Sequence, residues 1–200
     1  MISENKPIQK SFLETPESLS RDEFTEELSI FYLLTNHHNL LDYLSCGEIR
    51  PASSLPKYYS DLGENCRDSI PLLLEPPFGE FVERVTGEGG IPVIIELRLS
   101  ITSLDCQAIS EDLEVVEFNK VDEALSDALV LFINGLIPCS MIENIHLKNE
   151  EDLKAFDIRK YANVPEHLYS FEVSAPLFET GKVEMDDIWP LFEDDELSVE

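Results

Sequence analysis

Basic residues are the scarcest class in this sequence. The 200-residue chain has 14 Lys and Arg against 41 Asp and Glu, a formal net charge of −27 at pH 7. A surface of that sign repels phosphate backbones, so direct binding of nucleic acid is not expected. It attracts a basic protein surface, or the basic groove of a DNA-binding protein that an acidic chain occupies as a DNA mimic.

Cysteines are few and isolated. Cys46, Cys66, Cys106 and Cys139 form no CxxC pair and have no histidine at zinc-finger spacing, so a structural zinc site is not expected. Residues 1–13 lack the basic-then-apolar pattern of a signal peptide, and no apolar run approaches the roughly 20 residues of a membrane span. We therefore expect a cytoplasmic protein with reduced thiols.

The sequence also lacks the usual catalytic motifs. Gly87, Gly89 and Gly90 lie close together, but neither GxGxxG nor a lysine-bearing P-loop follows, and there is no GxSxG motif. The adjacent His37 and His38 have no carboxylate partner at helical spacing, so a metal site there is not expected. These absences argue against a kinase, an ATPase and a metalloenzyme.

The remaining composition is that of a globular protein, with 43% hydrophobic and 28% charged residues. The length suits one domain with a sizeable core. We expect a loosely ordered leader over residues 1–18, a single α+β domain over 19–178 and an acidic tail over 179–200.

Apolar periodicity predicts the elements of this domain. Strands are predicted at 30–35, 70–74, 91–99, 115–118 and 168–173, and a short turn followed by a strand is predicted over 141–147. Helices are predicted at 20–27, from Leu40 to just before Gly47, at 121–134 and at 150–161. Most of residues 52–88 is rich in Pro and Gly and predicts an irregular, exposed stretch. Because strands and helices alternate without a regular βαβ repeat, the fold class is α+β with a mixed sheet and short helices.

The acidic tail contains an apolar cluster. Residues 179–200 hold nine acids and one lysine, a local net charge of −8. Such a cluster can dock into a groove with a basic rim, or pack the chain's only tryptophan onto its own core. The candidate partner-binding residues are Trp189, Leu191, Phe192, Glu193, Asp194 and Asp195.

Residues 31–49, which read FYLLTNHHNLLDYLSCGEI, carry a resemblance to a known family. A strand ending in Thr35, a helix with Asn39 followed by leucine, and then Gly47 resemble the opening of DarT-type ADP-ribosyltransferases. A second block, SDALV at 126–130 with a proline-led turn and strand after it, is similar to the late segment of that family. The resemblance covers parts of residues 30–150.

The resemblance implies an ADP-ribosyltransferase-like fold and a set of site residues. Thr35 and Asn39 would bind NAD, Arg67 matches a basic catalytic residue, and Asp127 falls where the family has its catalytic glutamate. In an active enzyme Arg67 would offset phosphate charge and Asp127 would stabilise a developing oxocarbenium ion. Thr35 and Asn39 are equally compatible with ordinary turn and helix-cap roles.

Two departures from the family pattern affect the predicted function. Leu33 occupies the position of a histidine that holds the nicotinamide-side ribose, and it offers no hydrogen bond. Asp127 is one methylene shorter than glutamate, and small displacements of a carboxylate are costly in rate. We therefore predict a non-enzymatic, acidic interaction or regulatory protein without a cofactor, of the kind found in bacterial or phage conflict systems. An active NAD-dependent ADP-ribosyltransferase and a DNA-mimic inhibitor are the alternatives.

Overall fold

The computed structural model describes residues 28–55, 67–74, 79, 82, 86, 90–100, 106–110, 115–117, 128–156 and 170–179. The predicted leader, the helix predicted at 20–27 and all but the first residue of the acidic tail lie outside these residues. Among the described residues, no helix has the length and apolar character needed to cross a membrane.

Strands dominate the described structure. They are β1 (Ser29–Asn36), β2 (Glu48–Ile49), β3 (Ile70–Leu73), β4 (Pro92–Leu99), β5 (Cys106–Ser110), β6 (Val115–Glu117), β7 (Ala128–Ile133), β8 (Ile137–Pro138), β9 (Ile142–Leu147) and β10 (Ser170–Val173). The helices are α1 (His37–Cys46) and α2 (Glu150–Ala155), with short 3-10 turns at Ala52–Ser54, Cys139–Met141 and Ala175–Phe178.

Eight of the strands form one mixed sheet in the order β10-β9-β4-β1-β3-β7-β5-β6, while β2 and β8 form a separate ribbon. The β9–β10 pair is parallel and the other pairs are antiparallel. β4 lies inside the sheet between β9 and β1, as its apolar sequence predicted. Short helices beside one mixed sheet confirm the α+β class.

The register of β1 on β4 separates two faces of the sheet. Leu33 lies opposite Ile95 and Thr35 opposite Val93, so these side chains share one face. That face contributes to the main apolar core, which α1 covers through Leu40. The opposite face carries Tyr32, Leu34 and Asn36 of β1. Each face therefore has its own buried layer. Thr35 lies on the same face as Leu33, and Asn36 lies on the opposite face.

One predicted helix is wrong. Residues 128–133, in the second half of the helix predicted at 121–134, form strand β7, which pairs with β3 and β5. Successive residues of this run are buried on both faces of the sheet, including Val130 and Leu131. A strand covered on both sides is apolar throughout, and such a run also satisfies a helical spacing.

The stretch predicted to be irregular and exposed is partly ordered and buried. β3 lies within it, as predicted, and its Ile70 and Leu72 are almost fully buried. Val82 and Thr86 have helical conformation and are also buried. The described part of the helix predicted at 150–161 is α2, and β5 and the β2–β8 ribbon were not predicted from the sequence.

Candidate functional site

The residues that carry the family resemblance lie at the corner where β1 passes into α1. Asn36 caps the helix: its backbone is extended, and its Oδ1 accepts hydrogen bonds from the backbone N–H groups of His38 and Asn39, each at 3.0 Å. Gly47 ends the helix at φ 78°, a left-handed conformation that favours glycine, and its N–H donates to the carbonyl of Tyr43. Hydrogen bonds thus fix both ends of α1, and the Asn36 cap fixes the corner itself.

Thr86 and Gly90 also pack against this corner. Asn36 Nδ2 donates to the Thr86 carbonyl at 3.3 Å. Thr86 Oγ1 donates its single proton to the Val82 carbonyl at 2.5 Å and lies 3.4 Å from the Thr35 carbonyl. A Cβ added at Gly90 would lie 2.8 Å from Thr86 Cγ2 and 3.2 Å from Asn36 Cβ. Glycine is therefore required at position 90 for this close packing on the corner.

The N-terminus of α1 has its first amides engaged. His37 N–H donates to the Ile91 carbonyl at 3.0 Å, while His38 and Asn39 donate to Asn36. Helix N-termini bind phosphate through N–H groups that have no partner in the protein. These three groups already have partners, so they do not offer a phosphate site.

The His37 side chain also connects the start of α1 to Ile91. The Ile91 N–H donates to His37 Nδ1 at 2.9 Å, so Nδ1 acts as an acceptor and the neutral ring carries its proton on Nε2. The His37 ring lies against His38, with centroids 3.8 Å apart, and meets the edge of Phe156 at 6.2 Å. Among the described residues, no group of three or more His, Cys, Asp and Glu side chains could hold a metal ion.

The two proposed NAD-binding residues, Thr35 and Asn39, are both buried at this corner. Asn39 is 6% exposed, and no described residue donates a hydrogen bond to its Oδ1. A buried oxygen without a donor costs about 1–3 kcal/mol, so a hydrogen bond to this atom would be stabilising.

Leu33 lies next to Thr35 on the same face of β1. It is 4% exposed and belongs to the apolar cluster that also contains Val93 and Ile95. The histidine of the family pattern is therefore replaced by a side chain that extends the apolar core.

Only one of the two proposed catalytic residues lies among the described residues. Arg67 is exposed and precedes β3, and antiparallel pairing directs this end of β3 toward the end of β1 that carries Thr35. Asp127 lies outside the described residues, so its role stays a prediction from the sequence.

The candidate partner-binding residues of the tail, Trp189, Leu191, Phe192, Glu193, Asp194 and Asp195, lie outside the described residues. Their role stays a prediction from the sequence.

Comparison with solved structures identifies the class of fold. The chain is similar to Thermus sp. 2.9 DarT in complex with NAD+, with a TM-score of 0.57 at 12% identity, over 76% of this chain and 98% of that one. It is also similar to the same protein in complex with ADP-ribosylated ssDNA, with a TM-score of 0.53 at 13% identity, over 75% of this chain and 96% of that one. No family model matches the chain, and no curated protein is similar to it.

The chain thus has a distant DarT-like ADP-ribosyltransferase fold, which confirms the resemblance read from residues 31–49 at the level of the fold.

Proposed function

We propose that this protein is an acidic binding or regulatory protein on a DarT-like scaffold, without ADP-ribosyltransferase activity, whose partner is a basic protein surface. The observation that carries this proposal is the burial of Leu33 in the apolar core where the family pattern has a ribose-binding histidine. A leucine cannot hydrogen-bond a ribose hydroxyl. The engaged N–H groups of α1 support the same conclusion, because they leave little to hold a phosphate.

The distribution of charge supports a basic partner. The described residues contain 5 of the chain's 14 Lys and Arg and 11 of its 41 Asp and Glu, a net charge of −6. The remaining segments, which include nearly all of the tail, hold the other 30 acids and 9 basic residues, a net charge of −21. Concentrated charge steers a partner of opposite sign and sets the salt dependence of the complex.

A second candidate function is NAD-dependent ADP-ribosyl transfer, and the buried Oδ1 of Asn39 favours it. This acceptor has no partner among the described residues, and a ribose hydroxyl can donate a hydrogen bond to it. Thr35 lies at the same corner, and a protein of the same fold has been solved in complex with NAD+. This function would use Thr35 and Asn39 for binding, with Arg67 and Asp127 for the chemistry.

Calorimetric titration with NAD separates the two candidates. We expect no saturable heat from the intact protein at low or moderate salt. Saturable binding that is lost in the Thr35→Ala, Arg67→Ala double variant, and kept in Thr35→Ser, would favour the transferase instead. The serine variant is the control because it retains the hydroxyl while changing the volume of the side chain.

Removal of residues 179–200 tests the interaction surface. We expect the shortened chain to keep its melting temperature, because Phe178, which is buried, is retained, and to bind its basic partner more weakly. A complex that weakens steeply with salt and competes with DNA indicates a DNA mimic, whereas anchoring through Trp189 and Phe192 tolerates salt. Aggregation or early melting of the shortened chain would assign the tail to the core.

A further inference from the structure

A hydrogen-bonded chain of three side chains lies on the face of the sheet opposite Leu33. His146 Nε2 is 2.9 Å from Glu96 Oε2, and His146 Nδ1 is 3.0 Å from Ser174 Oγ. The histidine side chain is 5% exposed, and the glutamate is also largely buried. Asn144 Nδ2 donates to the other carboxylate oxygen of Glu96 at 3.5 Å. This arrangement joins a hydroxyl, an imidazole and a carboxylate in sequence.

Strand register holds the three groups in place. β4 and β9 pair Glu96 with Asn144, which sets His146 two residues along on the same face, and the parallel pairing of β10 sets Glu172 beside His146. The Ser174 N–H donates to the Leu147 carbonyl at 3.0 Å, which fixes the serine at the end of β10. Groups on paired strands keep their relative positions better than groups on loops.

One tautomer of His146 gives the chain a direction for proton transfer. With the proton on Nε2, the ring donates to the Glu96 carboxylate, and Nδ1 is left to accept the Ser174 hydroxyl proton. A serine bonded to an imidazole that is oriented by a carboxylate is the arrangement of an activated nucleophile. In this relay Glu96 is a positioning residue, because it acts through His146.

We propose that Ser174 is a nucleophilic serine that accepts an acyl group from an uncharged, activated ester. In this step a bond forms between Ser174 Oγ and the carbonyl carbon, and the bond from that carbon to the ester oxygen breaks. The hydroxyl proton passes to His146 Nδ1 and then to the departing alcohol. The product is an acylated serine at the edge of the sheet.

The surroundings of Ser174 select the class of donor. Glu172 is 51% exposed, and its Oε2 is 3.9 Å from His146 Nδ1, so a negative charge lies beside the nucleophile and disfavours anionic donors. Val173 and Pro176, on either side of Ser174 in the chain, are exposed and apolar. An uncharged ester with a small apolar acyl group suits these neighbours. This reactivity does not involve NAD and stands apart from the function proposed above.

Acetylation by p-nitrophenyl acetate tests the proposal. The intact protein should release p-nitrophenolate in a fast phase of one equivalent, and peptide mass spectrometry should find the acetyl group on Ser174. Ser174→Ala should abolish the fast phase. Ser170→Ala is the matched control, because Ser170 is an exposed serine on the same strand and no contact with His146 is found, and it should leave the fast phase unchanged.

Glu96→Gln tests whether Glu96 activates Ser174 through His146 or only stabilises the fold. It retains an oxygen that can accept from His146 but removes the charge, so the fold should persist while acetylation slows by roughly tenfold or more and its pH profile changes. Absence of acetyl-Ser174 in the intact protein would overturn the proposal. So would equal rates for the intact protein and Glu96→Gln, or acetylation of Ser170 as fast as that of Ser174.

Discussion

Asn36→Ala removes the side chain that holds the β1–α1 corner together. Asn36 is fully buried, and its side chain makes three hydrogen bonds, two as an acceptor from the first turn of α1 and one as a donor to the Thr86 carbonyl. The substitution therefore removes a helix cap and, at the same time, leaves a buried carbonyl without its donor.

The lost helix cap and the unpaired carbonyl each lower the free energy of unfolding, and the two costs can be estimated separately. Loss of an asparagine cap costs about 1 kcal/mol, within a range of roughly 0.5–2. A buried carbonyl left unpaired costs about 1–3 kcal/mol. The free energy of unfolding of Asn36→Ala should therefore fall by about 2–4 kcal/mol, as measured by urea denaturation.

Asn149→Ala is the matched control. Asn149 caps α2 in the same way, with its Oδ1 accepting from two backbone amides at 2.9 and 2.8 Å, but it is exposed and no buried donor bond is found for it. Its loss should cost about 1 kcal/mol or less. Asn36→Ser, which keeps a cap acceptor and loses the bond to Thr86, should fall between the two. Equal costs for Asn36→Ala and Asn149→Ala would refute the assigned role of the Thr86 bond.

Three further predictions concern the sheet, the corner and the thiols. Ile94→Asp places a charge at a fully buried position of a central strand, and the variant should fail to give soluble, folded protein; a stable variant would contradict the position of β4. Gly90→Ala should lower the melting temperature because the added methyl meets atoms at 2.8–3.2 Å, and an unchanged melting temperature would rule out this close approach. Burial raises the pKa of the Cys139 thiol to about 11, so at pH 8 iodoacetamide should alkylate the exposed Cys46 much faster than Cys139; equal rates in the folded protein would contradict the burial of Cys139.

Local pattern was sufficient to predict the elements that build the corner. The apolar runs at 30–35 and 91–99 are β1 and β4, and the leucines before Gly47 mark α1. Both strands lie inside the sheet, where burial requires an apolar sequence, and the glycine is required by its left-handed backbone. In these segments the local preference and the tertiary environment agree.

Where the prediction failed, spacing along the chain was ambiguous or the decisive contacts were distant. The helix predicted at 121–134 relied on apolar spacing that β7 also satisfies, and only pairing with β3 and β5 resolves the choice. The group around His146 was not predicted from the sequence, because Glu96 is 50 residues away and Ser174 is 28 residues away. Their contact depends on the register of three strands, which a single sequence does not specify.

The departure at Leu33 is the clearest link between sequence and proposed function. It was visible from the resemblance alone, and the structure adds that the side chain is buried in the core beside Thr35. The unpaired Oδ1 of Asn39 was not visible from the sequence, since it depends on what α1 packs against. It is the feature that keeps the transferase as a second candidate.

The release of nicotinamide from NAD tests the central claim most directly. The intact protein should be incubated with NAD, with and without single-stranded DNA as an acceptor, and free nicotinamide should be quantified over time. We expect no release above the level without protein, because Leu33 cannot hydrogen-bond the ribose. Release that is abolished by Thr35→Ala and retained by Thr35→Ser would contradict it and establish the protein as an active enzyme.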